Sequence, residues 1–526
     1  MNKPENKYIW IPGMLIGLQM LFAMAGWYGL ISWFWVVPLL LVLTIAVLDL
    51  SQKKHTVRRN FPVIGNFRYF FETIRPEIMQ YFIESDVDGA PINRMFRSLV
   101  YQRSKNQLDT TPFGTKMDVY KVGYEWMNHA IFNSAVATSE IPPRVIIGGR
   151  DCRQPYSSSL LNISAMSFGA LSKNAVLAMN KGAKIGGFAQ NTGEGGISDY
   201  HLAKGGDLIW QIGTGYFGCR KKDGSFCETT FRSAASLPSV KMVEIKLSQG
   251  AKPGHGGMLP ALKNTPEVAR YRHLEPFKDV HSPPFHSEFS DAAALLRFIL
   301  KLRSLSAGKP VGFKFCVSGE DDFRLLCEEM IRTGIYPDFI TVDGGEGGTG
   351  AAPVEFSNSL GMPLRDGLAL VRDMLLAYGI RKELKLMASG KIITGFHMAR
   401  ILALGADACY SARAMMMATG CIQALRCNSN TCPVGVATQQ ERLVRGLDVA
   451  DKSKRVANYH EKTIASLMEL SNAAGLSSPL DIERRHIHRR ISTTRVKTYA
   501  QIYPFRLKER LDSKKVNREL NSTDVG

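Results

Sequence analysis

The sequence predicts an α/β protein built on a (β/α)8 TIM barrel, with an N-terminal transmembrane helical hairpin and helical flanking segments. Three observations predict this architecture: an uncharged stretch at residues 9–48, eight short apolar runs between residues 157 and 415, and glycine-rich loops after several of those runs. Each apolar run is followed by a longer helical pattern. Strands that alternate with helices pair in parallel, and eight such units over about 260 residues match a (β/α)8 barrel.

The uncharged stretch at residues 9–48 is long enough for two short membrane spans, because one span needs about 20 apolar residues. Gly26, Tyr28 and Gly29 offer a turn between the spans, and a basic cluster follows at residues 53–59. Basic residues beside a span stay on the cytoplasmic side. We therefore expect residues 1–52 to form a transmembrane hairpin in the cell inner membrane, with the barrel on the cytoplasmic side. A cleaved signal peptide, the alternative, has a much shorter apolar region.

The rest of the chain divides into three predicted segments. Residues 53–150 are expected to form a helical juxtamembrane lead-in, with an amphipathic stretch at Trp126–Phe132. Residues 151–440 form the predicted barrel, and residues 441–526 form a helical, basic C-terminal extension. The basic islands between residues 484 and 490 are expected on a solvated or membrane-facing surface.

A long segment separates the fourth and fifth predicted strands. It includes the Pro- and His-rich stretch 281–286 and a predicted helix at Asp291–Leu302, and we expect it to form an insertion over the top of the barrel. The eight predicted strands are Leu160–Ala165, Gly187–Gln190, Leu208–Ile212, Lys241–Lys246, Val311–Cys316, Phe339–Val342, Leu384–Ala388 and Ala408–Ala412.

Composition limits the function classes. The chain carries 66 Lys and Arg residues against 47 Asp and Glu residues, a formal net charge of +19. Such an excess suits nucleic acid, an anionic membrane surface or anionic substrates. No nucleic-acid-binding motif accompanies it, so we expect no nucleic-acid partner. Nine cysteines without regular pairing argue against a disulfide framework and favour a reducing compartment.

Glycine-rich loops follow four of the predicted strands. A single loop of this kind is as often a plain tight turn, but four at one end of successive strands favour a ligand site. Glycine lets backbone N–H groups approach a ligand, and nests of such groups hold phosphates. In barrels the loops after strands seven and eight commonly bind phosphate, so Gly390 and Ser411–Arg413 are the candidate phosphate site. The four loops are Ser164–Ser172, Asn191–Gly196, Gln249–Gly257 and Asp343–Gly350.

Three charged residues stand out near these loops. Lys314 lies within the apolar fifth strand, where an unpaired buried charge is costly. If the Lys314 ammonium faces a cofactor ring or a phosphate, that cost is removed. The alternative is that Lys314 points to the exterior of the barrel. Glu194 and Lys252 lie in the loops after strands two and four, where Lys252 could pair with a carboxylate and Glu194 could accept from an amine or orient a nucleophile. As isolated residues both are more often surface charges.

Cys421, Cys427 and Cys432 occupy a loop rich in Asn, Ser, Thr and Gly, with Pro433 directly after the last cysteine. Their spacing is too close for core packing and too irregular for a helix face. Crowded thiolates repel one another unless a cation or an iron–sulfur core neutralises them. The loop therefore predicts a metal cluster, in which either a fourth ligand is remote or one iron corner is missing.

The chain contains, in this order, the segments SAMSFGALS, NTGEGG, QGAKPGHGG, DGGEGGTGAAP and CIQALRCNSNTCPVGVATQ. Together these segments resemble the FMN-binding synthase domain of the glutamate synthase family. The N-terminal hairpin, the stretch NFPVIGNFRYFFE and the C-terminal HRRIST segment are similar to a short, membrane-anchored branch of that family. The resemblance covers roughly residues 140–440.

The resemblance implies a cofactor set and a reaction. FMN would lie across the mouth of the barrel, and Cys421, Cys427 and Cys432 would hold a [3Fe-4S] cluster close to it. In the family, ammonia condenses with 2-oxoglutarate, and reduced FMN delivers hydride to the imine carbon. Lys252 matches the lysine that contacts the oxo acid, and Glu194 matches an active-site glutamate. The expected cofactor-binding residues are Ala165, Met166, Ser167, Gln190, Gln249, Lys314, Asp343, Gly344, Gly345, Gly347, Gly348, Thr349, Gly390, Ser411, Ala412 and Arg413.

The sequence departs from the family pattern after Lys252. The family motif KPG usually continues Glu-Gly-Gly-Gln, whereas this chain reads His255-Gly-Gly-Met258. A thioether cannot hydrogen-bond a carboxylate, so we expect an altered substrate preference. Met1 is followed by Asn2, Lys3 and Pro4, so we expect no N-terminal cysteine nucleophile, and we expect neither a glutaminase domain nor an NADPH-binding flavin domain.

Two kinds of partner follow as expectations. Ammonia would be free or come from a separate amidotransferase subunit, and electrons would come from an unknown electron-donor protein. Three alternatives stay open: an N-methylglutamate synthase-like enzyme acting on a different amine, a membrane-bound flavin and iron–sulfur electron-transfer subunit, and a non-catalytic scaffold.

Overall fold

The computed structural model describes residues 10–132 and 141–505, with side chains described from residue 13 onward. The chain forms two compact units, Met1–Gly89 and Ala90–Gly526. This division differs from the predicted boundary at residue 150, because the last part of the predicted lead-in belongs to the same unit as the barrel. Residues 506–526 of the predicted C-terminal extension lie outside the described residues.

The first unit begins with two apolar helices, Trp10–Trp27 and Trp33–Ser51, which pack against each other. Gln19 Nε2 donates to Thr44 Oγ1 across the pair at 2.9 Å. Among the described residues one helix, Trp33–Ser51, is long and apolar enough to cross a membrane. The two helices are thus present as predicted, and their crossing of a membrane stays a prediction. The unit continues with Thr56–Asn60, Gly65–Ile78 and a π-helical turn at Met79–Ile83.

The second unit contains a closed barrel of eight parallel strands, which confirms the predicted fold class. Each strand pairs with its neighbours in sequence, and the last pairs with the first. The strands are almost entirely buried, because helices cover the outer face of such a barrel and side chains fill its interior. The strands, labelled β1–β8 in chain order, are Leu161–Ile163, Ala189–Asn191, Asp207–Ile212, Val240–Lys246, Val311–Phe315, Phe339–Asp343, Lys385–Ser389 and Ala408–Ser411.

The helices between the strands follow the expected capping chemistry. Lys173–Gly186 begins after Ser172, whose side chain accepts the Ala175 N–H, and ends at Gly187 with φ +66°. A serine cap and a left-handed glycine satisfy the free backbone groups at the two helix ends. The helices that follow β1–β8 are Lys173–Gly186, Asp199–Leu202, Glu228–Ala235, Pro266–Arg272, Ala292–Leu305, Glu320–Thr333, Val354–Ser359, Leu364–Ala377, Gly395–Ala403 and Arg413–Ala418.

The long segment between β4 and β5 carries a small hairpin in addition to two helices. Met258–Leu259 pairs antiparallel with Val280–His281, and a 3-10 turn at Ala261–Lys263 precedes the helix Pro266–Arg272. The helix predicted at Asp291–Leu302 is found at Ala292–Leu305, with Asp291 as its cap. The hairpin brings Met258 and Leu259 to the mouth of the barrel.

Segments on both sides of the barrel form a separate sheet, which the sequence analysis missed. Glu125–Met127 pairs with Ile487–Arg490, which pairs in turn with Val496–Thr498. The prediction of a helical stretch at Trp126–Phe132 is therefore wrong, and the C-terminal extension is only partly helical. Two strands, Arg144–Ile147 and Tyr156–Ser159, pair just before β1. The remaining helices are Arg94–Ser104, Glu441–Val444, Val449–Ala473 and Tyr499–Ile502.

The C-terminal basic islands contribute to ion pairs rather than only to a solvated face. Arg484 is buried and donates to Asp373 at 2.7 Å. Arg489 lies 3.7 Å from Glu125, a carboxylate that also binds Arg365 and other groups. The expectation of a solvated surface is thus wrong for Arg484, because the buried carboxylate of Asp373 requires a cationic partner. The buried carboxylate of Glu125 has Arg489 among its cationic neighbours.

Candidate active site

A cavity of about 530 Å³ opens at the carboxyl ends of the barrel strands. This is the end at which enzymes of this fold place their active sites. Its wall combines loops that follow several strands with the cysteine-containing segment. The predicted site residues on its wall are Ala165, Met166, Ser167, Glu194, Gln249, Lys252, Lys314, Gly347, Gly348, Thr349, Ala412, Arg413, Cys421, Cys427 and Cys432.

A recess of about 70 Å³ shares several wall residues with this cavity. Lys391, which the sequence analysis did not select, lies on its wall beside the predicted residues. Burial, followed by the charge of Arg413, lowers the pKa of Lys391. Three cations and one carboxylate line the recess, so an anion such as a phosphate monoester would offset the excess positive charge. The charged residues on the wall are Lys314, Asp343, Lys391 and Arg413, and the predicted phosphate residues Gly390 and Ser411 lie there as well.

Lys314 lies on the wall of both the cavity and the recess, not on the barrel exterior. Its side chain is buried, with Nζ 3.9 Å from Asp343 Oδ2. The same Asp343 oxygen accepts the Gly250 N–H at 2.9 Å. The carboxylate is therefore shared between a backbone group and a distant ammonium, which leaves Lys314 able to bind a further anion.

Three predicted cofactor contacts do not lie on either wall. Gln190 is buried on β2, and its Oε1 has no hydrogen-bond partner among the described residues. Gly344 and Gly345 pack against neighbouring loops instead. A Cβ atom at Gly250 would lie 1.7 Å from the Gly344 carbonyl oxygen, so the loops after β4 and β6 touch through their backbones. Such close backbone contact requires glycine as much as a ligand does.

Glu194 is paired with Lys246, a residue that the sequence analysis missed. Lys246 Nζ donates to Glu194 Oε1 at 2.8 Å. Burial raises the pKa of Glu194, but the charges of Lys246, Arg272 and Lys252 outweigh it and hold that pKa below its ordinary value. Glu194 is therefore an ionised carboxylate at neutral pH. Lys246 is the last residue of β4, and this strand-end position was the signal available in the sequence.

Two further cations line the same cavity. Lys252 Nζ donates to the Gly256 carbonyl at 2.9 Å, and burial lowers its pKa. Arg272, also missed, is 5% exposed and lies only 3.4 Å from Ser167 Oγ. Burial lowers the pKa of Arg272 to about 10, and its Nε has no hydrogen-bond partner among the described residues. With Glu194 already paired, these two cations favour an anionic substrate.

The three cysteines of the predicted cluster lie on one cavity wall. Burial, together with the neighbouring thiols, raises the pKa of Cys421 to about 12. Burial and Cys432 also raise the pKa of Cys427, whereas the buried ammonium of Lys263 lowers it. Within the described ranges, no three His, Cys, Asp or Glu side chains converge on a single ion. An iron–sulfur cluster has different requirements, since separate irons take separate thiolates, and three neighbouring thiols beside a cation fit that donor set.

The two residues that depart from the family motif have different surroundings. Met258 is 40% exposed and lies on the cavity wall, so an apolar side chain faces the space beside Lys252 and Glu194. His255 is not on the wall. Its Nδ1 contacts the Gly256 carbonyl at 2.9 Å, and its ring packs edge-on against Phe356 at 5.3 Å. Of the two departures, Met258 is the one that changes the cavity surface.

Comparison with known proteins identifies the family. The model described as the conserved region in glutamate synthase matches residues 132–477. The glutamate synthase large subunit-like protein YerD of Bacillus subtilis is 38% identical over 490 residues, covering 86% of this chain and 93% of that protein. The archaeal NADPH glutamate synthase of Methanocaldococcus jannaschii is 35% identical over 320 residues, covering 60% of this chain and 59% of that protein.

Similarity to solved structures is weaker. A doubly mutated flavocytochrome b2 with sulfite bound aligns with a TM-score of 0.43 at 12% identity. The alignment covers 83% of this chain and 90% of the flavocytochrome chain. The family match spans the barrel and the cysteine segment, and the match to YerD extends over most of both chains. The chain therefore belongs to the glutamate synthase family of oxidoreductases, which act on CH–NH2 donors.

Proposed function

We propose that the chain uses FMN and a [3Fe-4S] cluster to reduce the imine formed from an oxo acid and ammonia. The observation that carries the proposal is one cavity that brings together the cationic recess, the Glu194–Lys246 pair and the three cysteines. When bound, FMN would supply the hydride and the cluster would supply electrons. The remaining contributions come from the side chains of the cavity wall.

The recess supports a flavin phosphate. Lys314, Lys391 and Arg413 are three cations against the single carboxylate of Asp343, which leaves two positive charges for a phosphate dianion. Arg413 also donates to the Glu346 carbonyl at 2.6 Å, which fixes its guanidinium at the edge of the recess. Charge-assisted hydrogen bonds of this kind are the strong ones in proteins.

Lys252 and Arg272 would hold the carboxylates of the oxo acid. Both are buried, and neither has a carboxylate partner within hydrogen-bonding distance among the described side chains. Glu194 would accept a hydrogen bond from ammonia or the amine, because Lys246 keeps it ionised. The low polarity of a closed barrel mouth would strengthen each of these charge interactions.

The surroundings of Met258 favour a second candidate, an enzyme of the same type that acts on a different amine, as an N-methylglutamate synthase does. The Met258 side chain presents a thioether to the cavity. A methyl group on the amine would gain apolar contact there, whereas a polar group would lose its hydrogen bonds.

The proposal includes a membrane location and separate partners. Trp33–Ser51 and the shorter apolar helix before it would anchor the chain in the cell inner membrane, with the barrel on the cytoplasmic side. An electron-donor protein would reduce the cofactors, and ammonia would be free or delivered by a separate amidotransferase subunit. If the chain lacks a substrate of its own, it would act as a membrane-bound electron-transfer subunit.

Anaerobic purification tests the cofactor proposal. The protein should show flavin absorbance, and the oxidised form should give the electron paramagnetic signal of a three-iron cluster. Cys427→Ser should remove that signal and retain FMN, because the phosphate recess is formed by other residues. Cys227→Ser, which changes a half-buried cysteine outside the cluster loop, is the matched control. Protein without iron and flavin, or an unchanged signal in Cys427→Ser, would contradict the proposal.

Reoxidation of the reduced flavin tests the reaction. 2-Oxoglutarate with ammonium should accelerate reoxidation if the enzyme forms glutamate, and methylamine in place of ammonium should accelerate it more if the second candidate is right. Met258→Gln should shift the preference towards ammonium. Failure of every oxo acid and amine pair would leave electron transfer as the function.

A further inference from the structure

The outer face of the three-stranded sheet formed by Glu125–Met127, Ile487–Arg490 and Val496–Thr498 carries a row of aromatic and basic side chains. Trp126 pairs with His488, and the two rings stack at 5.5 Å between centroids. The Tyr124 ring also stacks on Trp126, at 5.6 Å between centroids. Because side chains alternate along strands, Glu125 and Arg489 lie on the opposite face, towards the barrel. We call the outward side the aromatic face.

Arg490 organises the edge of the aromatic face. Its guanidinium lies over the Tyr120 ring at 5.0 Å and donates from Nε to the Val119 carbonyl at 3.0 Å. The backbone N–H of Gly123 donates to the Arg490 carbonyl at 2.8 Å, so the loop before the sheet is fixed beside it. Tyr120 remains 68% exposed and Val122 57% exposed in this fixed conformation.

The exposed charges beside these rings are mainly positive. Lys121 and Arg495 are exposed, and Arg490 adds a third cation. One carboxylate, Asp118, accepts the Tyr120 N–H at 2.9 Å. Ile491 and Val496 lie at the turn of the hairpin and are each 38% exposed. The surface therefore combines aromatic rings, aliphatic side chains and a positive excess.

This combination matches an anionic lipid surface better than a nucleic acid. Proteins that bind single-stranded nucleic acid offer free ring faces for base stacking, whereas the Trp126 ring already stacks on two protein rings. Aromatic side chains at bilayer interfaces instead insert an apolar ring at headgroup level. Lysine and arginine near the surface are attracted to anionic headgroups, and exposed aliphatic residues enter the acyl boundary.

We propose that the aromatic face is a docking surface for anionic phospholipid headgroups. Tyr120 and Val122 enter the interface, and Lys121, Arg490 and Arg495 contact lipid phosphates. The face belongs to the barrel unit and does not include the apolar N-terminal helices. The proposal is independent of the reaction catalysed in the cavity, since none of these residues lies on its wall.

Hydrogen exchange of the full chain tests this docking. The chain is reconstituted with vesicles of phosphatidylcholine alone or of phosphatidylcholine with phosphatidylglycerol. Backbone amides at 119–124 and 490–496 should exchange at least about fivefold more slowly with the anionic vesicles. Lys121→Gln/Arg495→Gln should lose this difference, and Lys204→Gln/Lys222→Gln, at exposed lysines far from the sheet in sequence, should keep it.

Equal exchange in both vesicle types would overturn the proposal, whether or not the N-terminal helices insert. Protection of the same amides by an oligonucleotide in the absence of lipid would overturn it in favour of nucleic acid. Loss of the protection in the control variant Lys204→Gln/Lys222→Gln would show that the net charge of the protein, not this face, causes the slower exchange. That result would overturn the proposal as well. The variants carry only surface substitutions, and far-UV circular dichroism checks that they fold.

Discussion

Replacing Glu194 with glutamine tests the ion pair at the centre of the site. The variant keeps the size of the side chain but leaves Lys246, whose side chain is 9% exposed, without its charged partner. Removing one member of a buried pair costs about 3 to 5 kcal/mol. The Glu194 side chain is 21% exposed, so we expect the lower end of that range. For a folded unit of about 400 residues, about 3 kcal/mol corresponds to a melting temperature lower by about 4 °C.

A second substitution separates stability from catalysis. In Glu194→Gln/Lys246→Met neither charge is left buried, so most of the lost stability should return. Activity should not return, because the carboxylate proposed to accept a hydrogen bond from the amine is still missing. Thermal unfolding and substrate-dependent flavin reoxidation are measured on both variants. An unchanged melting temperature in the single variant, or a double variant as unstable as the single one, would refute the reasoning.

Three other outcomes are expected. Lys391→Met should weaken FMN binding by about 10- to 100-fold through loss of one charge-assisted contact, measured by flavin fluorescence on dilution, and Lys391→Arg should retain binding. Glu125→Ala should lower the free energy of unfolding by about 2 kcal/mol, since it removes a buried carboxylate and its hydrogen bonds to the half-buried Arg365 and Arg400; Glu483→Ala, at an exposed pair, should change it by less than about 1 kcal/mol. Burial lowers the pKa of His460 from 6.5 to about 3. The unfolded chain therefore binds a proton that the folded chain excludes, and stability should fall below pH 6.5, by about 2 kcal/mol at pH 5. His460→Gln should lose that part of the pH dependence in denaturant titrations.

The barrel was predictable because its strands are continuous apolar runs buried on both faces. A run such as Phe339–Asp343 contrasts sharply with the polar loops around it. Lys314 was predictable for the opposite reason, since a charge inside such a run must face a ligand or a partner. The three-stranded sheet was not predictable from local pattern. Its strands have three or four residues each, and Trp126 meets His488 only through a contact across most of the chain.

The missed site residues carry little local signal of their own beyond the strand-end position of Lys246. Lys246 at the end of a strand and Arg272 at the end of a helix look like ordinary surface charges in the sequence. Only folding brings Arg272 from the long insertion to within 3.4 Å of Ser167, more than a hundred residues earlier. In the same way Gly344 matched a ligand loop by composition, although its role is contact with the loop after β4.

The carboxylate of Glu125 has a consequence for the order in which the protein is made. It leaves the ribosome early, yet its partners are Arg365 and Arg400 on barrel helices and Tyr499 near the C-terminus. Tyr499 follows Glu125 by 374 residues, which at bacterial and eukaryotic synthesis rates is about 20 to 75 s. During that interval the strand that carries Glu125 has no sheet to join. The apolar helices at the N-terminus are synthesised long before, so they leave the ribosome while the catalytic unit is still unfinished.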